Sequence, residues 1–287
     1  MSEFIHTFQF VLVPFLVMVI FASILPVAGS ALYIRNEIML AIALPPLTGA
    51  ALTLGVVTGI SPENHITLFS FAFVIAFGIV SWLGNLRLSE IKRQIILASL
   101  FAGGSVVIHL LMSVSEHAHA HLRFLLTGEL LSIDRAELFQ SSLLCTAGWF
   151  LFAIFRNAVF SYCIDEELMR LRSKRFTVFA TFYRISITLI IAASVLYIGP
   201  LLTSALLIFP ALLSDTGKSS IITFFAFAVT VGLLGAAGGF IAGVAGDIPP
   251  AYTASIAILA AGTVLKFVWM FSGSVFTKKS VLISGNK

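Results

Sequence analysis

The stretch IITFFAFAVTVGLLGAAGGFIAGV, Ile221 to Val244, carries no charged side chain and no proline. A helix crosses the roughly 30 Å hydrocarbon core of a bilayer with about 20 apolar residues, so this run is long enough to span. A membrane barrel would instead alternate apolar and polar residues in segments of about ten. Continuous apolar sequence is therefore read as helix, whose backbone groups bond within the segment and leave nothing for lipid to satisfy. Gly235, Gly239 and Gly243 recur every four residues and share one helix face. Small residues at that spacing bring membrane helices together, since lipid supplies no hydrophobic drive for association. Packing within the chain is the expectation for them, with contact between two copies as the alternative.

Similar runs fill most of the chain: Phe8–Ala28, Ile38–Val57, Leu68–Leu83, Ile95–Val114, Leu138–Tyr162, Phe179–Ile198, Leu201–Leu213 and Tyr252–Phe271. Hydrophobic residues make up 59% of the 287 positions and charged residues 10%, with a mean hydropathy of +1.06. That balance excludes a water-soluble domain. The expected fold is all-α: one polytopic transmembrane helical bundle over residues 1–287, with eight to nine spans. No Lys or Arg precedes the first run, which is read as a retained span rather than a cleaved signal peptide.

Charge then orients the bundle. Basic residues gather at Arg35, at Arg87, Lys92 and Arg93, at Arg170, Arg172, Lys174 and Arg175, at Lys218, and at Lys278 and Lys279, so every second loop is basic. Intervening loops hold Glu63 and His65, Glu116 with its histidines, Gly199-Pro200, and Asp247 before Pro249-Pro250; Arg123 and Arg135 are the exceptions. By the positive-inside rule the basic loops are cytosolic, which puts the N-terminus outside and the C-terminal tail inside. The net charge of +4 reports this topology and no nucleic-acid partner, because the 17 basic residues form no stripe.

Leu201–Leu213 is short for a span at about 1.5 Å per residue and lies between Gly199-Pro200 and Pro210. It is read as a broken or re-entrant helix. Irregular backbone at membrane depth is tolerated where protein or a water-filled cavity covers it, which would put Gly199, Pro200, Thr203, Ser204 and Pro210 beside a pathway. The alternative is a proline kink facing lipid.

The densest metal-ligating group is Glu116-His117-Ala118-His119-Ala120-His121, placed outside. Neutral imidazoles with a carboxylate suit zinc, copper, nickel or iron. His117 and His121 share a face if helical, and all three histidines share one if extended. A collecting site at an entrance and a hydrated polar loop are both consistent with this pattern. His109 and Arg156 sit inside apolar runs, where ionisable groups face protein or a cavity, although Arg156 also has the option of snorkelling. Cys145 and Cys163 read as packing residues. Thr216-Gly217-Lys218-Ser219 lacks the earlier glycine of a phosphate-binding loop, with Leu212 in its place, so no ATP site and no enzymatic activity are expected.

Between the fifth and sixth runs, Asp165, Glu166, Glu167 and Leu168 are followed by Arg170 and Arg172. Acid before base matches the backbone dipole of a short helix, a form suited to docking a cytosolic partner. An ordinary solvated loop is the alternative.

Asp165-Glu166-Glu167-Leu168, the stretch GPLLTSALLIFPA from Gly199 to Ala211, and LTGELLS from Leu126 to Ser132 together resemble ABC-type permeases that import manganese, zinc or iron. The resemblance extends through Gly29 to Arg35 and Gly235 to Pro250, covering most of the chain. It implies that Asp165 to Arg172 form a coupling helix on a cytosolic ATP-binding subunit. It also implies that two copies line one pathway, that an extracytoplasmic solute-binding protein delivers a divalent metal, and that the chain is a multi-pass protein of a prokaryotic inner membrane binding no cofactor itself. One departure bears on substrate. The family carries an Asp and a His, four residues apart, early in the second span, where this chain has Leu40 and Leu44. Aliphatic side chains offer a cation no lone pair, so a non-metal solute remains an alternative substrate. A secondary transporter needing no ATP is a further alternative, although nearly all the acids lie in loops or at span ends instead of within the spans as ion carriers.

Overall fold

The computed structural model describes residues 2–61, 64–86, 88–114, 135–154, 176–215 and 220–284. These form eight helices: α1 Ser2–Ile34, α2 Ile38–Val57, α3 His65–Asn85, α4 Glu90–Val114, α5 Arg135–Ile154, α6 Phe176–Ser214, α7 Ile221–Ala245 and α8 Pro250–Ser284. No strand occurs among the described residues. Among the described residues, seven stretches are long and apolar enough to cross a membrane, one in each helix other than α5. The expected eight to nine spans are slightly more than the seven found among the described residues. Phe179–Ile198 and Leu201–Leu213 fall within one element, α6, and the expected run Leu138–Tyr162 extends beyond the described residues.

α6 is broken at Gly199, whose φ of 79° and ψ of 161° lie outside any helix. Before the break, the Tyr183 ring lies beneath the Arg35 guanidinium, 5.2 Å from its centroid. After it, Asp215 accepts a hydrogen bond from Tyr33 Oη. Residues 183 and 215 thus both meet the C-terminal end of α1, although a straight helix would hold them about 48 Å apart. Tyr197, beside the break, stacks instead on His65 at the far end of α3, with ring centroids 6.2 Å apart. The chain therefore doubles back at Gly199, and the short run Leu201–Leu213 returns alongside the longer arm. That conformation is open to glycine and strained for any side chain.

This two-armed helix is the centre of the bundle. It packs against α1, α2, α3, α5, α7 and α8, whereas α4 packs principally against α2. Small residues allow the close crossings. A Cβ on Gly29 would sit 1.9 Å from the Leu207 carbonyl oxygen, so α1 and the returning arm meet backbone to backbone. Gly235, Gly239 and Gly243 face Ile258, Ala254 and Thr253 of α8, which confirms packing within the chain for that glycine face. α3 presents one stripe to the core, Leu68, Ala72, Ala76, Val80 and Leu83, at helical spacing. Its other faces expose Ile66, Val74 and Trp82, as suits a helix against lipid.

The α1–α2 corner is a Schellman turn. Asn36 takes a left-handed φ of 57°, its N–H donates to Tyr33 O, and Glu37 N–H donates to Leu32 O. Asn tolerates this backbone where most side chains do not. The corner holds Arg35 and Glu37 against the N-terminal ends of α4 and α6.

Candidate functional site

The returning arm of α6 contains the residues expected at a pathway. Gly199 is buried at the break, and Pro200 opens the return without an N–H of its own. Thr203 is buried, and its Oγ1 donates to Gly199 O at 2.7 Å. Ser204 Oγ donates to Pro200 O at 2.8 Å, and Ser214 Oγ to Pro210 O at 2.6 Å. These hydroxyls thus bond back to carbonyls of their own helix four residues earlier, so their polar atoms are satisfied without a partner on another helix. Gly199, Thr203 and Pro210 are buried, and Pro200 and Ser204 half-buried, along the break and the arm that follows it.

α2 packs against α6, and its Leu40 shares a cleft with Tyr183, Arg184 and Ile187 of the longer arm. Leu40 and Leu44 are both buried, and Leu40 lines a cleft at the basic end of the bundle. Pro45 and Pro46 lie within the helix, and Thr48 Oγ1 donates to Leu44 O at 2.8 Å. Aliphatic packing fills both positions and offers a metal no donor atom.

At that basic end sits a charged cluster that the sequence reading used only for topology. Glu37, 8% exposed, accepts from Arg35 at 3.1 Å and from Arg93 at 2.8 Å, both through Oε1. Burial alone would raise the Glu37 carboxyl. The charges and hydrogen bonds of Arg35 and Arg93 outweigh that, holding it below the ordinary carboxylate range. Arg184 of α6 donates to Gly84 O at 3.1 Å and Asn85 Oδ1 at 3.3 Å, closing the last turn of α3. The cluster ties the α1–α2 corner to α4, and α3 to α6. Arg35 and Arg93 were legible as charges at span ends. Arg184 was passed over because it lies inside the run Phe179–Ile198.

The other expected residues are not gathered here. Asp165, Glu166, Glu167, Leu168, Arg170 and Arg172 lie outside the described residues, as do Glu116, His117, His119, His121, Arg156, Cys163 and the stretch Leu126 to Ser132. His109 is exposed on α4, with Nδ1 2.7 Å from Ser105 O. Cys145 is a buried free thiol. No group of three metal-ligating side chains occurs among the described residues.

Long apolar helices that pack around a centre broken at a glycine and still expose large apolar side chains such as Ile66, Val74, Ile222 and Ile256 define a polytopic membrane protein. Residues 7–271 match the ABC 3 transport family, and the chain belongs to it. It is 27% identical over 202 residues to a protein of Thermotoga maritima named "Probable metal transport system membrane protein", covering 69% of this chain and 68% of that one. Its fold is similar to that of PsaBC from Streptococcus pneumoniae, solved in complex with Fab. That match has a TM-score of 0.74 at 18% identity, over 93% of this chain and 95% of the other. It is also similar to an ABC transporter described as of metal-chelate type, in an inward-facing conformation. There the TM-score is 0.64 at 17% identity, over 91% and 86% of the two chains.

Proposed function

We propose that this chain is the membrane permease subunit of an ATP-driven importer for a divalent metal: zinc, manganese or iron. The observation that carries the reading is the family match along residues 7–271, and the metal-transport name of the Thermotoga relative supports the substrate class. In this reading two copies form the pathway in a prokaryotic inner membrane. Each engages a cytosolic ATP-binding subunit, and an extracytoplasmic solute-binding protein delivers the ion. The chain supplies no ATP site; hydrolysis belongs to the partner.

Sequence order suggests how the work is transmitted. The segment Asp165 to Arg172 ends four residues before α6 begins at Phe176, and α6 is the most buried of the spans. A pull on that segment by the ATP-binding subunits acts directly on the longer arm. Gly199, the non-helical point within α6, is where the two arms move relative to each other, and rocking them alternates access around Thr203 and Ser204. Glu116, His117, His119 and His121 act as a collecting group at the outer mouth.

The buried aliphatic pair Leu40 and Leu44 favours a second reading, an ABC permease for a non-metal solute. Cellular metal content separates the two. Cells lacking the chain are expected to hold less of one of the three metals, and the chain restores it. A Glu166→Lys, Glu167→Lys variant inserts in the membrane but does not restore it. Unchanged contents of all three metals on deletion would exclude the metal reading.

A further inference from the structure

Sorted by what they join, the closest helix crossings fall into two groups. In the first, Gly29 of α1 meets the Leu207 backbone of the returning arm, Gly232 of α7 meets Pro26 and the Ala22 carbonyl oxygen of α1, and Gly235 and Gly239 of α7 meet the backbone of Ile258 and Ala254 in α8. Gly262 of α8 closes this group on Leu213 of the returning arm. In the second, Gly104 of α4 meets the backbone of Pro46 and Leu47 in α2, and Gly55 of α2 meets Leu68 and Phe71 of α3. Gly84 of α3 and Gly148 of α5 both meet the longer arm of α6, at Arg184 and Ile190. One group is therefore α1, the returning arm, α7 and α8, and the other is α2, α3, α4, α5 and the longer arm.

Between the groups the fit is of another kind. Apart from α6 itself, they meet mainly where α1 touches α5 and, more lightly, α2. The end of the Ile24 side chain lies 3.7 Å from where a Cβ on Gly148 would stand, and the Phe21 ring stacks on Tyr197 with centroids 6.2 Å apart. Arg35 spans the boundary at the basic end, with its guanidinium over the Tyr183 ring and bonded to Glu37. Side-chain ends of this sort slide past one another in small steps, which a crossing set backbone against backbone does not allow. The chain also passes from one group to the other at two places, both short. Residues 35–37 join α1 to α2 around Asn36, with φ 57°, and Gly199, with φ 79°, joins the arms of α6. Every other connection begins and ends within one group. The two passages lie at opposite ends of the longer arm, since Arg35 meets Tyr183 and the helix from Tyr183 to Gly199 is about 24 Å long.

We propose that the chain moves as two bodies that rotate about the line joining Asn36 and Gly199. Two short connections at separate points fix an axis and leave rotation about it open, and hinges are a few element-terminal residues that absorb the change in φ and ψ. Glycine and asparagine are the residues that take up left-handed backbone most readily, so both passages are built from hinge-competent types. The proposal adds a second hinge and the membership of each body to the rocking at Gly199, and it rests on the transport reading for its purpose alone.

The test is double electron–electron resonance on the full chain in lipid nanodiscs, diluted with unlabelled chain so that distances are read within one copy. Spin labels sit on cysteines placed, in a Cys145→Ala, Cys163→Ala background, at four exposed positions: Ile222 and Ile256 in the first body, Ile66 and Ile91 in the second. Ile222 with Ile256, and Ile66 with Ile91, report within a body; Ile222 with Ile66, and Ile256 with Ile91, report between bodies. Spectra are taken on the chain alone and on its complex with the ATP-binding subunit, before and after ATP with vanadate. A rotation of about 15° moves a site two helix diameters from the axis, about 20 Å, by about 5 Å. At least one between-body distance is expected to shift or split by that amount while both within-body distances stay unchanged. Between-body distances that remain single and fixed in every state, or within-body distances that change as much, would overturn the proposal. A subunit that does not bind counts against the transport reading, and the chain alone then decides: between-body distributions wider than the within-body ones support two bodies, and equally narrow ones overturn them.

Discussion

α6 and α4 are built from similarly apolar sequence, yet 78% of an 18-residue stretch of α6 is buried against 17% of one of α4. Hydropathy thus says that a segment belongs in lipid but not where in the bundle it lies. What differs is side-chain size and backbone detail. α6 buries Ala192, Ala193, Ser194, Thr203 and Ala205 and reverses at Gly199, while α4 turns Ile91, Ile95, Val106 and Leu110 outward. Without a hydrophobic drive between helices, close approach and hydrogen bonding decide which helix becomes the centre.

Glycine substitutions are the sharpest way to break this comparison. Gly29→Val, at the crossing of α1 with the returning arm, is expected to abolish folded protein in size-exclusion profiles, because the obstacle is the Leu207 backbone, which cannot move aside. Recovery of monodisperse protein at wild-type yield would show that the crossing is looser than described.

Glu37→Gln should be next, at about 3 kcal/mol, since it leaves two guanidinium groups facing a neutral partner in a largely buried place. Its pH dependence has a definite sign. The folded carboxyl lies below its unfolded value of about 4.3, so the stabilisation is fully present above that value. It is lost as pH falls through the lower folded value. The difference in Tm between wild type and Glu37→Gln should stay constant near neutrality and shrink only in acid below the ordinary glutamate range. A difference that disappears between pH 7 and 5 would contradict the pairing.

Gly199→Ala should cost about 1–3 kcal/mol, because its φ of 79° and ψ of 161° strain any Cβ. Transport should fall further than stability if the arms move there. At the small end, Gly103→Ala on α4, where a Cβ meets nothing within 4 Å, should be neutral or stabilise by up to about 1 kcal/mol through helix propensity. Destabilisation there would mean that α4 is covered by protein in the folded chain.

Much of this architecture is legible in the sequence because lipid imposes one rule, a long apolar run for each span. The run Ile38–Val57 coincides with α2, and Ile221–Val244 falls one residue short of α7. The Gly199-Pro200 break was readable from two residues that both disfavour helix. The direction of the returning arm was not, because it depends on Tyr33, Arg35, His65 and Asp215, all distant in sequence. The Glu37 cluster was hidden for a related reason. Positive-inside counting treats Arg35 and Arg93 as interchangeable charges, whereas the Schellman turn at Asn36 is what brings both guanidinium groups to one carboxylate oxygen. For the proposed site, the histidine and acidic segments announce themselves by composition. The buried hydroxyl of Thr203 and the half-buried one of Ser204 were found only through the motif around the break.

The most direct test is uptake by proteoliposomes holding this chain with its ATP-binding subunit, supplied with the binding protein and labelled zinc, manganese or iron. ATP-dependent accumulation of one metal, abolished by Glu166→Lys, Glu167→Lys and unaffected by a proton ionophore, is the predicted result. Accumulation without ATP that collapses with the ionophore would contradict it and make the chain a secondary transporter.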